Sequence, residues 1–187
     1  MKKKRTFVFP DELHAVDIKN ARKRLNLTQQ EFADFICVSV KTVSKWEQND
    51  TPVKGPVIPL ILLLFEDRTI PEKYELPEQE YPVRLLYMYY DQCCTMIDVN
   101  EKDRIIRIKN FTALPMYRAF GTIDQPTFAQ YLDFLESRCF PRTRDKMKLQ
   151  LDELGLPFYD PFMIIEKTQG RMAEDHFWIK IVRKHYD

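Results

Sequence analysis

Glycine is scarce in this chain, at four of 187 residues. Loops that cradle nucleotide phosphates need glycines so that the backbone can approach the ligand closely, and neither GxGxxG nor GxxxxGK(S/T) occurs. HExxH and GxSxG are absent as well, which removes the common zinc-hydrolase and serine-hydrolase signatures. No run approaches the roughly 18 consecutive apolar residues of a membrane span. The basic start is followed only by Thr6-Phe7-Val8-Phe9-Pro10, too short for the apolar core of a signal peptide. The four cysteines, Cys37, Cys93, Cys94 and Cys139, form no CxxC pair; buried thiols in a cytoplasmic protein are expected, with no metal and no cofactor. Glu174, Asp175 and His176 adjoin one another, but neighbours on a strand point to opposite faces and cannot act together. No enzyme is expected.

What is present is apolar and aromatic content of 44% and 13%, enough for two small domains with real cores. The net charge of +1 conceals an asymmetry. Residues 1–64 hold 11 Lys/Arg against 7 Asp/Glu, a net of +4, and the remainder holds 18 against 21, a net of −3. A basic first half suits an anionic polymer. Part of that charge is the run Lys2-Lys3-Lys4-Arg5, expected as a basic arm over residues 1–16, either solvated or reaching into a minor groove.

The most informative stretch is Leu27 to Asn49, LTQQEFADFICVSVKTVSKWEQN. Thr28 and Glu31 have the spacing of a capping box, in which hydroxyl and carboxylate each accept from an orphan backbone N–H. Phe32, Ala33, Phe35 and Ile36 supply the apolar face of the helix that follows. Ser39 is a second N-cap. The next helix turns Val43 and Trp46 inward and Val40, Lys41, Ser44 and Lys45 outward. A helix exposing short polar and cationic groups fits a major groove about 12 Å wide.

These residues resemble the helix-turn-helix of the Cro/C1 (XRE) family of regulators, over about Asp17 to Leu64. The resemblance rests on Arg22, Leu27-Thr28-Gln29, Ala33, Val38-Ser39, Val43 and Trp46-Glu47. It implies a lambda-repressor-like, all-α N-terminal bundle that contacts double-stranded DNA through Thr28, Gln29, Ser39, Val40, Lys41, Thr42, Ser44, Lys45 and Gln48. Gln29 would hold a phosphate, and Val40, Lys41, Ser44 and Lys45 would read bases. Arg22 and Glu47 would form a structural ion pair. Cys37 stands where the family usually has a glycine in the turn, and Asn49 where it has a glycine after the Glu; Asn tolerates a positive φ better than most residues. The following TPVKGPVIPLILLL is similar to antitoxin-type members in which Lys-Gly-Pro opens an apolar fourth helix. Pro56 suits a first helical turn, and Pro59 fits a helix beginning no earlier than about Gly55.

Residues 65–81 are rich in Pro and Glu without periodicity and are expected as a linker. Residues 82–187 are expected as an α+β domain with a small antiparallel sheet. Stretches 83–90, 94–99 and 104–109 are expected as a three-stranded meander, with Ile106 and Ile108 on one face and Ile105, Arg107 and Lys109 on the other, one face core and one wet or engaged. Helices follow Thr127, Thr143 and Asp160, the second stopped by Gly155, and 177–182 is a closing strand. Arg138, Arg142, Arg144 and Lys146 form a dense cationic cluster. It has two readings: an anion or partner site at a helix junction, or a solvated junction paired with nearby acids. LxxLGLPFYDP to GRMAEDHFWI weakly resembles a module that precedes some HipA-like kinases, without the kinase motifs.

The expectation is a cytoplasmic, homodimeric DNA-binding regulator of bacterial or mobile-element origin that represses its own operon from a palindromic operator. Residues 82–187 would serve dimerisation or partner binding, with Tyr87, Tyr89, Tyr90, Phe134 and Trp178 as candidate contact surface, although core packing explains most of these residues equally well. The alternative is an antitoxin-like or anti-CRISPR-like interaction protein whose C-terminal domain binds a protein while the helix-turn-helix autoregulates.

Overall fold

The computed structural model describes residues 5–49, 51–143, 145 and 147–184. The chain divides into two compact units between Glu75 and Leu76.

In the first unit, α1 (Ala15–Arg24) buries Ile18 and Ala21 and places Arg22, Lys23 and Arg24 in its last turn, where cations favour the helix dipole. The capping box opens α2 (Gln29–Phe35) as expected: the Thr28 hydroxyl accepts from the Glu31 N–H at 3.2 Å, and the Glu31 carboxylate accepts from the Thr28 N–H at 2.7 Å. Phe32 and Ala33 are fully buried. The turn after α2 passes through Cys37 at φ +57°, and the Val38 N–H closes it on the Ala33 carbonyl at 2.9 Å. Ser39 then caps α3 (Val40–Gln48), accepting from the Thr42 N–H at 3.1 Å. Helix α4 (Val57–Glu66) follows Pro56 and holds Pro59 in its first turn, where no N–H is needed for the intrahelical ladder. Ile58, Ile61 and Leu64 complete the core.

Three expectations are corrected, two in this unit and one that spans both. Residues 1–16 are not wholly an arm: Leu13 and Val53 exchange backbone hydrogen bonds of 2.9 and 2.8 Å, Leu13 is buried, and α1 starts at Ala15. A bridge across 40 residues of chain leaves no local period to detect. Asn49 has φ −97° and is extended, so α3 ends without a left-handed residue there. Cys37 is exposed and Cys93 half-buried, so only Cys94 and Cys139 match the expected buried thiols. Burial pushes the Cys93 thiol up to about 11 and the Cys139 thiol up to about 12.

The stretch expected as a linker carries a short helix, α5 (Ile70–Tyr74). Ile70 packs against the first core, and the Tyr74 ring lies 6.5 Å from that of Phe35. Five residues are too few for a helical period to register in the sequence. Farther along, the Pro77 carbonyl accepts from Arg84 at 2.7 Å, and Glu80 pairs with Arg107.

The second unit is a four-stranded antiparallel sheet in the order β3-β2-β1-β4 with helices on one face. Strands β1 (Val83–Tyr89), β2 (Gln92–Asn100) and β3 (Ile105–Asn110) form the expected meander. The closing strand β4 (Phe177–Arg183) pairs with β1. Leu85, Ile97, Val99 and Ile179 meet Tyr131, Phe134 and Leu135 of α6 (Phe128–Ser137), Leu151 of α7 (Met147–Leu154) and Ile164 and Ile165 of α8 (Pro161–Thr168). Each such large side chain contributes roughly 1.5–3 kcal/mol by leaving water. Ile106 and Ile108 pack on this core as the alternation requires. Thr127 and Asp160 cap α6 and α8, accepting from the Gln130 and Met163 N–H groups at 3.3 and 2.8 Å. On the sheet, Arg84 and Asp98 are direct cross-strand partners joined by bonds of 2.6 and 2.7 Å, with side chains 5% and 1% exposed. Among the described residues, no helix is long and apolar enough to cross a membrane.

Candidate nucleic-acid interface

The first unit orients α3 through one braced cluster. Arg22 donates from Nε and Nη2 to the two Glu47 oxygens at 2.6 and 3.0 Å, and from Nη1 to the Leu27 carbonyl at 2.8 Å. Gln29 Nε2 donates to Glu47 Oε2 at 2.8 Å. The cluster therefore ties α1, the α1–α2 loop and the start of α2 to the last turn of α3. The Glu47 side chain is 4% exposed and that of Arg22 14%, so the pair is well shielded. Desolvation pushes the Glu47 carboxyl up, but hydrogen bonds from Arg22 and Gln29 outweigh it and hold the carboxyl below its ordinary value. The bond to Glu47 raises Arg22 against the effect of burial.

The candidate contacting residues divide into two groups. Thr28, Ser39 and Thr42 are engaged at helix starts: Thr28 and Ser39 cap, and the Thr42 hydroxyl shares a hydrogen bond with Ser39 at 2.8 Å. Gln29 is held by Glu47, which leaves its second amide N–H for a phosphate. Lys41, Lys45, Val40 and Gln48 are exposed and Ser44 is half-buried. Among the described residues, the ammonium groups of Lys41 and Lys45 have no hydrogen-bond or ion-pair partner. Beside them runs an open concavity of about 450 Å³, bordered also by Trp46, Asn49, Thr51 and Lys54. Lys54, which the sequence did not single out, extends the basic edge and pairs loosely with Glu12 at 3.2 Å.

In the cationic cluster of the second unit, the described members Arg138 and Arg142 are each paired with an acid of the fold. Arg138 is 7% exposed, and its guanidinium is fully engaged: it donates to the Gly170 carbonyl at 2.8 and 3.0 Å, to Asp175 at 2.6 and 3.1 Å and to the Phe177 carbonyl at 3.1 Å. A Cβ on Gly170, at φ +60°, would come within 3.3 Å of both Arg138 and Ile179. Glycine lets the carbonyl approach. Arg142 pairs with Glu136 at 2.7 Å and lies over the Tyr159 ring at 4.4 Å. Arg144 and Lys146 lie outside the described residues. Of the aromatic residues considered for pairing, Tyr87 and Phe134 are core, while Tyr90 is 55% exposed and stacks on His176 at 4.4 Å. Asp175 is held by Arg138, and His176 stacks on the Tyr90 ring.

With this geometry in place, comparison with known proteins adds one match: residues 18–66 fit the family model for the helix-turn-helix. That segment is a helix-turn-helix of the Cro/C1 (XRE) type, the DNA-binding part of transcription regulators and not a catalytic domain. No curated protein and no solved structure matches the chain.

Proposed function

We propose that this protein is a sequence-specific DNA-binding repressor that acts as a dimer in the cytoplasm, on a palindromic operator in its own promoter. The observation that carries the reading is α3: a helix locked at its far end by Arg22, Glu47 and Gln29 that presents Lys41 and Lys45 without partners among the described residues. A fixed helix with free cations is ready for a phosphate-lined groove, whereas a mobile one would lose ordering entropy on binding. Val40, Lys41, Ser44 and Lys45 read bases; Gln29, Thr42 and Gln48 hold phosphates, with Thr28 and Ser39 at the helix starts beside them.

A single helix reads only a half-site, and a two-fold dimer places two such helices about 34 Å apart on one side of the duplex. Leu60 and Leu63 of α4 are 38% and 58% exposed, so the first unit has apolar surface of its own; residues 82–187 supply the principal pairing surface. Duplex binding by the intact chain and by a piece ending near Glu78 separates the two contributions. The shorter piece is expected to fold and to bind much more weakly. Equal affinity would place the dimer contacts in the first unit. Purification from the native host tests the wider reading, because a stoichiometric second protein held by residues 82–187 would replace repression by the antitoxin-like alternative.

A further inference from the structure

Strand β4 is an edge of the sheet, and its backbone is only partly used. The Tyr90 N–H donates to the His176 carbonyl at 3.2 Å and the Lys184 N–H to the Pro82 carbonyl at 2.9 Å. These bonds fix the phase of the antiparallel ladder: Trp178, Lys180 and Val182 turn their backbone groups toward β1, and Ile179, Ile181 and Arg183 turn theirs outward. Ile179 donates its N–H to the Gln169 carbonyl at 2.8 Å. The outward backbone groups of Ile181 and Arg183 have no partner among the described residues. A groove of about 340 Å³ runs beside this open stretch, between β4 and α8, with Ile165, Ile181 and the paired Glu166 and Arg183 at its walls. An open strand edge is a template for another strand.

The chain also holds a strand-forming segment without a sheet. Thr6, Phe7, Val8 and Phe9 are β-branched or aromatic, the types that favour strands, and their backbone groups make no hydrogen bond among the described residues. Phe7, Val8 and Phe9 are 73%, 95% and 48% exposed, an apolar run that burial against a partner would stabilise. Phe7 and Phe9 have the same spacing as Ile181 and Arg183, so each pair lies on one face of its strand. Pairing β4 with β4 of a second copy about Val182 would use the same open groups, but it sets Lys180 opposite Lys184. Like charges directly opposite are destabilising, and Thr6–Phe9 carries none.

We propose that in a dimer the Thr6–Phe9 segment of each copy joins the free edge of β4 in the other, antiparallel, with Phe9 opposite Ile181 and Phe7 opposite Arg183. Each of these pairs exchanges both N–H···O bonds, and the two rings enter the groove beside α8 while Val8 lies beside Val182 on the opposite face. Pro10 then falls opposite Lys180, where the added strand needs no N–H, and the pairing ends at the Ile179 N–H already taken by Gln169. Two such exchanges related by a two-fold axis close the assembly. The inference rests on the dimer reading and names its contact.

The test is sedimentation of full-length chains over a range of concentrations. The intact chain should dimerise. A chain carrying Phe7→Asp and Phe9→Asp, both at exposed positions, should self-associate roughly tenfold or more weakly. Arg183→Pro should do the same, since it removes an outward N–H that the sheet does not use, whereas Arg183→Ala, which loses only the exposed pair with Glu166, should dimerise as the parent does. An equimolar mixture of the Phe7→Asp/Phe9→Asp chain with the Arg183→Pro chain retains one of the two exchanges and should form a heterodimer at concentrations where neither variant self-associates. A dimer unaffected by the Phe7→Asp/Phe9→Asp change, or a mixture that stays monomeric, overturns the strand exchange and leaves the dimer reading standing. An intact chain that is monomeric throughout overturns both.

Discussion

Arg22 in the first unit and Arg138 in the second are used alike. Each donates in bidentate fashion to one carboxylate, Glu47 or Asp175, and uses its remaining N–H groups on backbone carbonyls of neighbouring segments. The units differ in what surrounds these pairs. In the first, the arginine fixes a helix whose other cations, Lys41 and Lys45, stay exposed and unpaired among the described residues. In the second, the described cations of the 138–146 cluster are engaged, Arg138 with Asp175 and Arg142 with Glu136. Local cation density therefore does not by itself mark an anion site, since both described arginines of the denser cluster are held by acids of the fold. What marks an anion-binding surface is a cation left over after the fold has satisfied its own acids and carbonyls.

The largest effect expected from breaking this contrast lies at the buried pair of the second unit. Asp98→Ala leaves Arg84 buried and uncompensated and should destabilise that unit by roughly 3–5 kcal/mol, read as an early unfolding transition, with the first unit still folded. Next is the brace of the first unit. Glu47→Ala should cost up to about 3 kcal/mol and also weaken DNA binding, because Gln29 and the end of α3 lose their anchor; an unchanged melting temperature would show that the pair does not stabilise the unit.

Smaller in stability but sharper in function are the lysines. Lys41→Ala or Lys45→Ala should each weaken duplex binding by roughly 1–3 kcal/mol if the lysine reads a base. If it holds a phosphate, the substitution should instead lower the salt slope by about 1. Neither change should move the melting temperature. Thr28→Ala, which removes a cap, should cost only about 1 kcal/mol.

Acid adds a graded version of the same test. The Glu47 carboxyl is held below its ordinary value, so the stability it contributes is full above the unfolded-state value and is lost as pH falls through the depressed folded value. Chemical denaturation of Glu47→Gln across that acid range should show a flatter pH dependence than the parent chain. Equal slopes would assign the acid sensitivity to other carboxylates.

The first unit was legible because its signals are local. Thr28 and Glu31 stand three residues apart, Ser39 and Thr42 likewise, and both caps form as their spacing requires. What the sequence did not show joins distant segments: the Leu13–Val53 bridge, the Gln29–Glu47 bond, and the Arg84–Asp98 pair set by strand register. In the second unit, caps at Thr127 and Asp160 and the alternation of β3 were again readable. Of the cationic cluster, Arg142 pairs with the nearby Glu136, whereas the partners of Arg138, Gly170, Asp175 and Phe177, lie over 30 residues away and leave no local signal.

The most direct measurement is selection of duplexes from a random pool by the intact chain, run beside a chain carrying both Lys41→Ala and Lys45→Ala. The expected result is an enriched inverted repeat with half-site centres about 10 base pairs or a multiple apart, lost or blurred in the double variant. No enrichment, or the same motif at the same strength from the double variant, would contradict the assignment of α3 as the reading helix.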